Sequence, residues 1–338
     1  MTIDCNSVQR RLDWVDIAKG IGILLVIYGH VQQGIYLSGM DARYFMHAEN
    51  IIYSFHMQLF FFLSGIFVER SMSKGTDVLI WDKVKVILYP YFLWSLLHGS
   101  IQVILSPYTN DKLTGNALLQ IAYKPIAHFW FLQALFLSYI IYAVLRTFLP
   151  ISILFIVALA MYIGKFFVDP SIINDVLRMF VFFVAGSMFA LIVHKVRDNI
   201  NGGALFATIV IFIAFQVTLF YFRLSEYPLA KFIAAFVGII FVVYLSLYIQ
   251  DKKTFVIIKR IGFLAMPIYL AHAMGSAGMR IVLSRAFQVH DIALHIIMGC
   301  LAGLTFPILL YALMKKLKFP YIFTISKEST LSQSINAR

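Results

Sequence analysis

Apolar runs of about 17 to 23 residues, separated by short polar and basic links, repeat along the whole chain. Crossing the hydrocarbon core of a bilayer takes ~20 such residues. The pattern predicts about ten transmembrane helices, near 17–37, 51–70, 84–105, 128–149, 151–168, 176–194, 204–222, 230–249, 262–284 and 293–314. Two of them meet at Leu149-Pro150-Ile151, where proline breaks the helix and turns the chain. The expected fold class is an all-α integral membrane protein. Residues 1–16 read as an N-terminal tail, 17–316 as one polytopic membrane domain, and 317–338 as a tail, polar from Lys327 and expected to be disordered.

Composition strengthens this picture. Of 338 residues, 61% are apolar and 13% charged, with 32 Phe and 18 Tyr, far from the soluble average. The net charge of +12 could suggest nucleic acid, but the basic residues stand in the links between apolar runs, so topology explains them instead. Of the 28 Lys and Arg, only Arg43, Lys112, Lys124, Lys165, Arg178, Arg223, Lys231, Arg280 and Arg285 fall on the side opposite the N-terminus. By the positive-inside rule both termini are expected to be cytoplasmic. The first apolar segment is longer than a signal-peptide core and carries ionisable residues, so it is expected to be a retained span. Cys5 and Cys300 imply no disulfide framework.

The candidate chemistry starts in that first span, at Asp16-Ile17-Ala18-Lys19-Gly20 through Tyr28-Gly29-His30. Lys19 and His30 are eleven positions apart, which at about 100° per residue returns them to within about 20° of one helix face. The rise of ~1.5 Å per residue separates them by roughly 16 Å along the axis. They are two stations on one path, a cation near the cytoplasmic surface and an imidazole in the outer half of the membrane. Asp16 can pair with Lys19 but lies too far from His30 to orient it. A charge at the bilayer centre costs about 2.5–3.5 kcal/mol on the insertion scale, which makes ionisable groups in spans functional candidates. The plainer alternatives are a snorkelling lysine and a helix-packing histidine.

The same orientation gives other polar residues an address. His56 in the second span falls at a depth similar to His30, and His128 opens the fourth span at the outer surface. Arg178 and His295 also start inward-running spans, and His272 lies near the middle of the ninth. Each has a bland reading as well: an aromatic belt for His128 with Trp130, a helix-helix hydrogen bond for His56, and packing for His272 and His295. Ser64-Gly65 and Gly186-Ser187 are expected to allow close helix approach. No His-x-x-x-His pair, cysteine cluster or acidic cluster has a ligand spacing, so no metal site is expected. No glycine-rich phosphate loop or Gly-x-Ser-x-Gly elbow is present either.

Arg11-Leu12-Asp13-Trp14-Val15-Asp16-Ile17-Ala18-Lys19-Gly20, closing on Tyr28-Gly29-His30, resembles the opening of the membrane-bound acyltransferase family 3, close to its fucose O-acetylase-like branch. The stretches 55–65 (Phe-His-Met-Gln-Leu-Phe-Phe-Phe-Leu-Ser-Gly), Pro90-Tyr91-Phe92-Leu93-Trp94, His128-Phe129-Trp130-Phe131-Leu132 and Ile268-Tyr269-Leu270-Ala271-His272 fit the same family. Lys19 stands where many members carry Arg, and Gln58 where many carry Pro. Lysine cannot make the bidentate phosphate contact of arginine.

The resemblance implies an enzyme of the bacterial inner membrane that moves an acyl group, usually acetyl, from cytoplasmic acyl-CoA to a hydroxyl of a cell-surface or periplasmic carbohydrate. O-antigen, capsule, exopolysaccharide and periplasmic glucan are all candidates, lipid-linked or polymeric, and so are a homo-oligomer and partners in glycan assembly. It implies Lys19 and Asp16 at the donor, His30 as general base or acyl carrier, and His56 or His128 orienting the acceptor or stabilising the oxyanion. Trp130, Phe131, Arg178 and His272 would bind substrate, Trp130 by stacking on a sugar face. The rival from another class is a secondary transporter or lipid-linked sugar flippase with Lys19 and His30 lining the path.

Overall fold

A computed structural model describes residues 5–40, 46–104 and 114–325, and every regular element among them is helical. Among the described residues, eight runs are long and apolar enough to cross a membrane: Asp13–Leu37, Asn50–Met72, Thr76–Ile104, Ala127–Phe148, Ile172–Asp198, Gly202–Tyr221, Pro228–Ile249 and Ile292–Lys316. Val256–Phe263 and Ala265–Ala286 make a ninth if taken together. This is a polytopic membrane protein.

Three of the ten expected spans differ from expectation, and proline accounts for the break in one. The ninth is bent by 83° at Leu264. Pro267 has no N–H to bond the Phe263 carbonyl and its ring clashes there, so the helix cannot run through and restarts at Ala265. The expected 151–168 span is an α-helix of 14 residues, Ile151–Gly164, continued by the 3₁₀ turn Lys165–Phe167. That is about 25 Å of helix, short of a ~30 Å core. The third span begins earlier than 84, at Thr76, because a π turn at Val84–Leu88 takes up the register before Pro90.

The chain divides into two compact units, Met1–Phe67 with Met179–Leu309 and Val68–Arg178 with Leu310–Arg338. In the first, the Cys5–Leu37 helix is the axis, with His56–Gly65, Pro228–Ile249, Val256–Phe263 and Ala265–Ile281 packed on it. Glycine sets the closest approaches. A Cβ on Gly65 would lie 1.9 Å from the Phe183 carbonyl oxygen, and one on Gly186 1.9 Å from that of Phe62. The expected close pass at Ser64-Gly65 and Gly186-Ser187 is therefore present. Gly20 and Gly262 make a second pass, between the first helix and Val256–Phe263.

In the second unit, Trp130–Phe148 packs against Thr76–Lys83 and the π turn. Tyr142 Oη and Arg146 Nε both donate to Glu69 Oε1, at 2.6 and 2.7 Å. The tail expected from 317 is ordered through 325. Trp94 Nε1 donates to the Ile322 carbonyl at 2.7 Å, and buried Phe323 packs on the rings of Trp94 and Tyr311. Apolar Phe319, Tyr321 and Phe323 distinguish this stretch from the polar segment after it. The segment from Lys327, expected to be disordered, lies outside the described residues.

Candidate functional site

Lys19 and His30 stand on one uninterrupted helix, so the separation of roughly 16 Å expected from its rise holds. Lys19 Nζ lies 3.6 Å from Asp16 Oδ1, in the expected pair. A second ion pair nearby, Lys259 with Asp13, ties the Val256–Phe263 helix to the same end of the first helix. Asp16, Lys19, Asp13 and Lys259 thus form one charged cluster, held close by Gly20 and Gly262.

At the other station, three elements bring imidazoles to His30. Its ring centroid is 5.1 Å from that of His272, tilted by 48°. His56 reaches the same turn of the first helix through Tyr53. The Tyr53 ring packs edge-on to His56, with centroids 4.9 Å apart, and also lies against Gly29. Backbone carbonyls set the tautomers of the flanking rings. His56 Nδ1 donates to Ile52 O at 2.8 Å and His272 Nδ1 to Tyr269 O at 2.7 Å. A carbonyl only accepts, so each Nδ1 carries the proton, and Nε2 of the neutral ring is an acceptor. Both side chains are buried, and His30 is half-buried.

A cavity of about 110 Å³ opens beside His30, lined also by Gly34, Ser276, Arg280 and His295. Arg280 Nη1 donates to the Gly34 carbonyl, and Ser276 Oγ to that of Gly299 at 3.2 Å. His272, Ser276 and Arg280 recur every four residues and so form one stripe of their helix.

The second unit carries the other sequence-derived candidates. His128, 5% exposed, lies 5.6 Å from His98 with the rings nearly perpendicular, and both pack on Phe129. The Arg178 guanidinium covers the Trp130 ring at 5.2 Å and donates to Asp175 at 2.7 Å. Phe131 is buried, edge-on to Trp130.

Sequence reasoning missed His98, Arg280 and Lys259, and treated His295 as packing. For His98 a signal exists: Tyr91, Trp94 and His98 fall at helical spacing, and all three are buried. Arg280 could have been found from its four-residue repeat with Ser276 and His272. Among the described residues, no group of three or more His, Cys, Asp or Glu is placed to hold a metal ion.

A family model described as an acyltransferase domain matches residues 12–312. The nodulation protein NolL of Mesorhizobium japonicum is 31% identical over 181 residues, 52% of this chain and 47% of that protein. NolL of Sinorhizobium fredii is 25% identical over 188 residues, 55% of this chain and 51% of its own length. The chain thus spans about half the length of these relatives. No solved structure matches it significantly.

Proposed function

The chain belongs to the acyltransferase family whose domain model covers residues 12–312, and from that premise we propose that it is an inner-membrane O-acyltransferase acting on a carbohydrate hydroxyl. Membership implies an acyl-CoA donor and makes the chain an enzyme; nothing in its geometry favours the transporter or flippase. The acyl group in this reading is acetyl, and the acceptor is a cell-surface or periplasmic glycan. The Lys and Arg asymmetry supports cytoplasmic termini, with the bent pair as the ninth crossing and the short Ile151–Phe167 helix as a tenth, its mismatch of about 5 Å met by local thinning of the bilayer.

Acyl-CoA enters at the charged cluster, where Lys19, held by Asp16, meets a phosphate of the donor. The rise of roughly 16 Å to His30 is comparable to the reach of the pantetheine arm. In this reading His30 gives one N–H to the acceptor Nε2 of His56, with the His272 ring packed beside it, and its other nitrogen carries the lone pair for chemistry. As general base it takes the proton of the sugar hydroxyl while the oxygen bonds to the thioester carbon. The C–S bond breaks and the proton passes to the CoA sulfur. This contributes about 10²–10⁴-fold. Alternatively, His30 attacks the thioester carbon first, the C–S bond breaks and CoA leaves as its thiol, and the sugar oxygen then takes the acyl group from the acyl-imidazole as its proton returns to the ring. His128, whose ring packs on His98, and the Trp130–Arg178 pair of the second unit are carried in this reading as substrate-binding candidates on the strength of the family resemblance alone.

The single observation that carries this reading is the convergence of His272 and His56 on His30, with their tautomers set by carbonyls. The test is CoA release from acetyl-CoA by purified protein in detergent. We expect release by wild type, none by His30→Ala, and a raised acetyl-CoA KM for Lys19→Ala. Full release by His30→Ala would refute the mechanism.

A further inference from the structure

We propose that the cavity beside His30 seats the acceptor hydroxyl, and that His295 receives its hydrogen bond; this rests on His30 acting in acyl transfer. The Ile292–Lys316 helix brings His295 to the cavity on a face it shares with Gly299 and Gly303, at i, i+4 and i+8. A Cβ on Gly299 would touch Val31 at 3.0 Å, and one on Gly303 would meet Ser276 Oγ at 2.3 Å. Small residues here seat the helix against the first and the Ala265–Ile281 helices.

His295 is 1% exposed, and its Nε2 donates to the Val289 carbonyl at 3.0 Å. That bond puts the proton on Nε2, so Nδ1 of the neutral ring is an acceptor. Nδ1 is buried with no hydrogen-bond partner among the described residues. A buried acceptor left unmade is costly, and cores seldom keep one without a use. Opposite in character, Arg280 brings N–H donors to the same space.

An alcohol fits both, because its O–H donates and its oxygen accepts. Among the described residues, no carboxylate lines the cavity to favour a cation. About 110 Å³ has room for about three to four waters at ~30 Å³ each, or for one polyol edge of a sugar. The hydroxyl so held lies beside His30, where its oxygen can take the acyl group.

Glycerol is the probe, supplied to the purified full-length protein with acetyl-CoA, and acetylglycerol, acetate and CoA are quantified. Wild type should form acetylglycerol saturably. His295→Leu should raise the glycerol concentration for half-maximal ester formation at least tenfold more than it changes the acetyl-CoA KM. His295→Gln, whose amide keeps a donor for Val289 and an acceptor for the ligand, should restore most of that loss. Ala277→Leu, which fills the cavity without removing a polar group, should act like His295→Leu and carries the test if the latter fails to fold. CoA release by wild type without acetylglycerol overturns the proposal, as does an unchanged glycerol dependence in Ala277→Leu or His295→Leu. Full CoA release by His30→Ala is a separate result that sinks the parent reading, whatever His295 does.

Discussion

Gly262→Ala tests whether the charged cluster depends on backbone contact between two helices. A Cβ at 262 would stand 1.6 Å from the Asp16 carbonyl oxygen and 2.7 Å from the Gly20 nitrogen. Ordinary carbon–oxygen contacts begin at about 3.3 Å, so the Val256–Phe263 helix must move away by roughly 1.5 Å. Backbone oxygen cannot swing aside as a side chain would. Overpacking of this kind costs about 1–3 kcal/mol, and a rigid backbone partner places this site at the upper end. Gly278→Ala is the control: nothing lies within 4 Å of its Cβ position. There the substitution should be neutral, or stabilising by up to ~1 kcal/mol through helix propensity. The two variants should therefore differ by about 3–4 kcal/mol, or about 4–6 °C in the unfolding midpoint measured by tryptophan fluorescence in one detergent. Because Asp16 lies on the displaced turn and Lys19 follows it, the acetyl-CoA KM should also rise in Gly262→Ala. A midpoint for Gly262→Ala equal to or above that of Gly278→Ala would refute the reasoning.

His56→Phe keeps an aromatic ring against Tyr53 but removes the nitrogen acceptor proposed for His30, and CoA release should fall about 10–100-fold with little change in acetyl-CoA KM, as steady-state kinetics would show. Lys259→Met leaves Asp13 without its partner in a partly buried site, where both side chains are less than a quarter exposed. It should cost about 1–3 kcal/mol, between exposed and buried pairs, read as a lower unfolding midpoint. Trp94→Phe retains the ring packing on Phe323 and loses the bond to the Ile322 carbonyl, worth about 1 kcal/mol, so trypsin should cut at Lys316 and Lys318 about fivefold faster. Glu69→Gln removes the charge shared by Tyr142 and Arg146 and should destabilise the protein by about 1–2 kcal/mol in the same fluorescence assay.

The membrane character was readable because lipid imposes a one-dimensional rule: about twenty apolar residues per helix, whatever the neighbours. For the same reason the first span carried its own geometry, since eleven residues of unbroken helix set both the shared face and the spacing of Lys19 and His30. Gly65 and Gly186 announced close packing by their size. Proline was visible at 90, 150 and 267, but hydropathy averaged across Pro267 and drew one straight span where the chain turns sharply. The same averaging left Phe323 in the tail after the last span, although two aromatic rings, Trp94 and Tyr311, hold it in the protein.

What the amino-acid order determined by itself was the helical class, the alternation of basic links and one polar stripe on one helix, all properties of residues near each other in the chain. Tertiary structure decided which imidazoles meet. His56, His272 and His295 come from three separate helices, and their tautomers depend on carbonyls at Ile52, Tyr269 and Val289 that only local folding aims at them. Arg280 reaches the Gly34 carbonyl across 246 positions of sequence. Such meetings depend on where glycine lets two backbones pass and where proline turns a helix, and no periodicity within one segment encodes the partner on another.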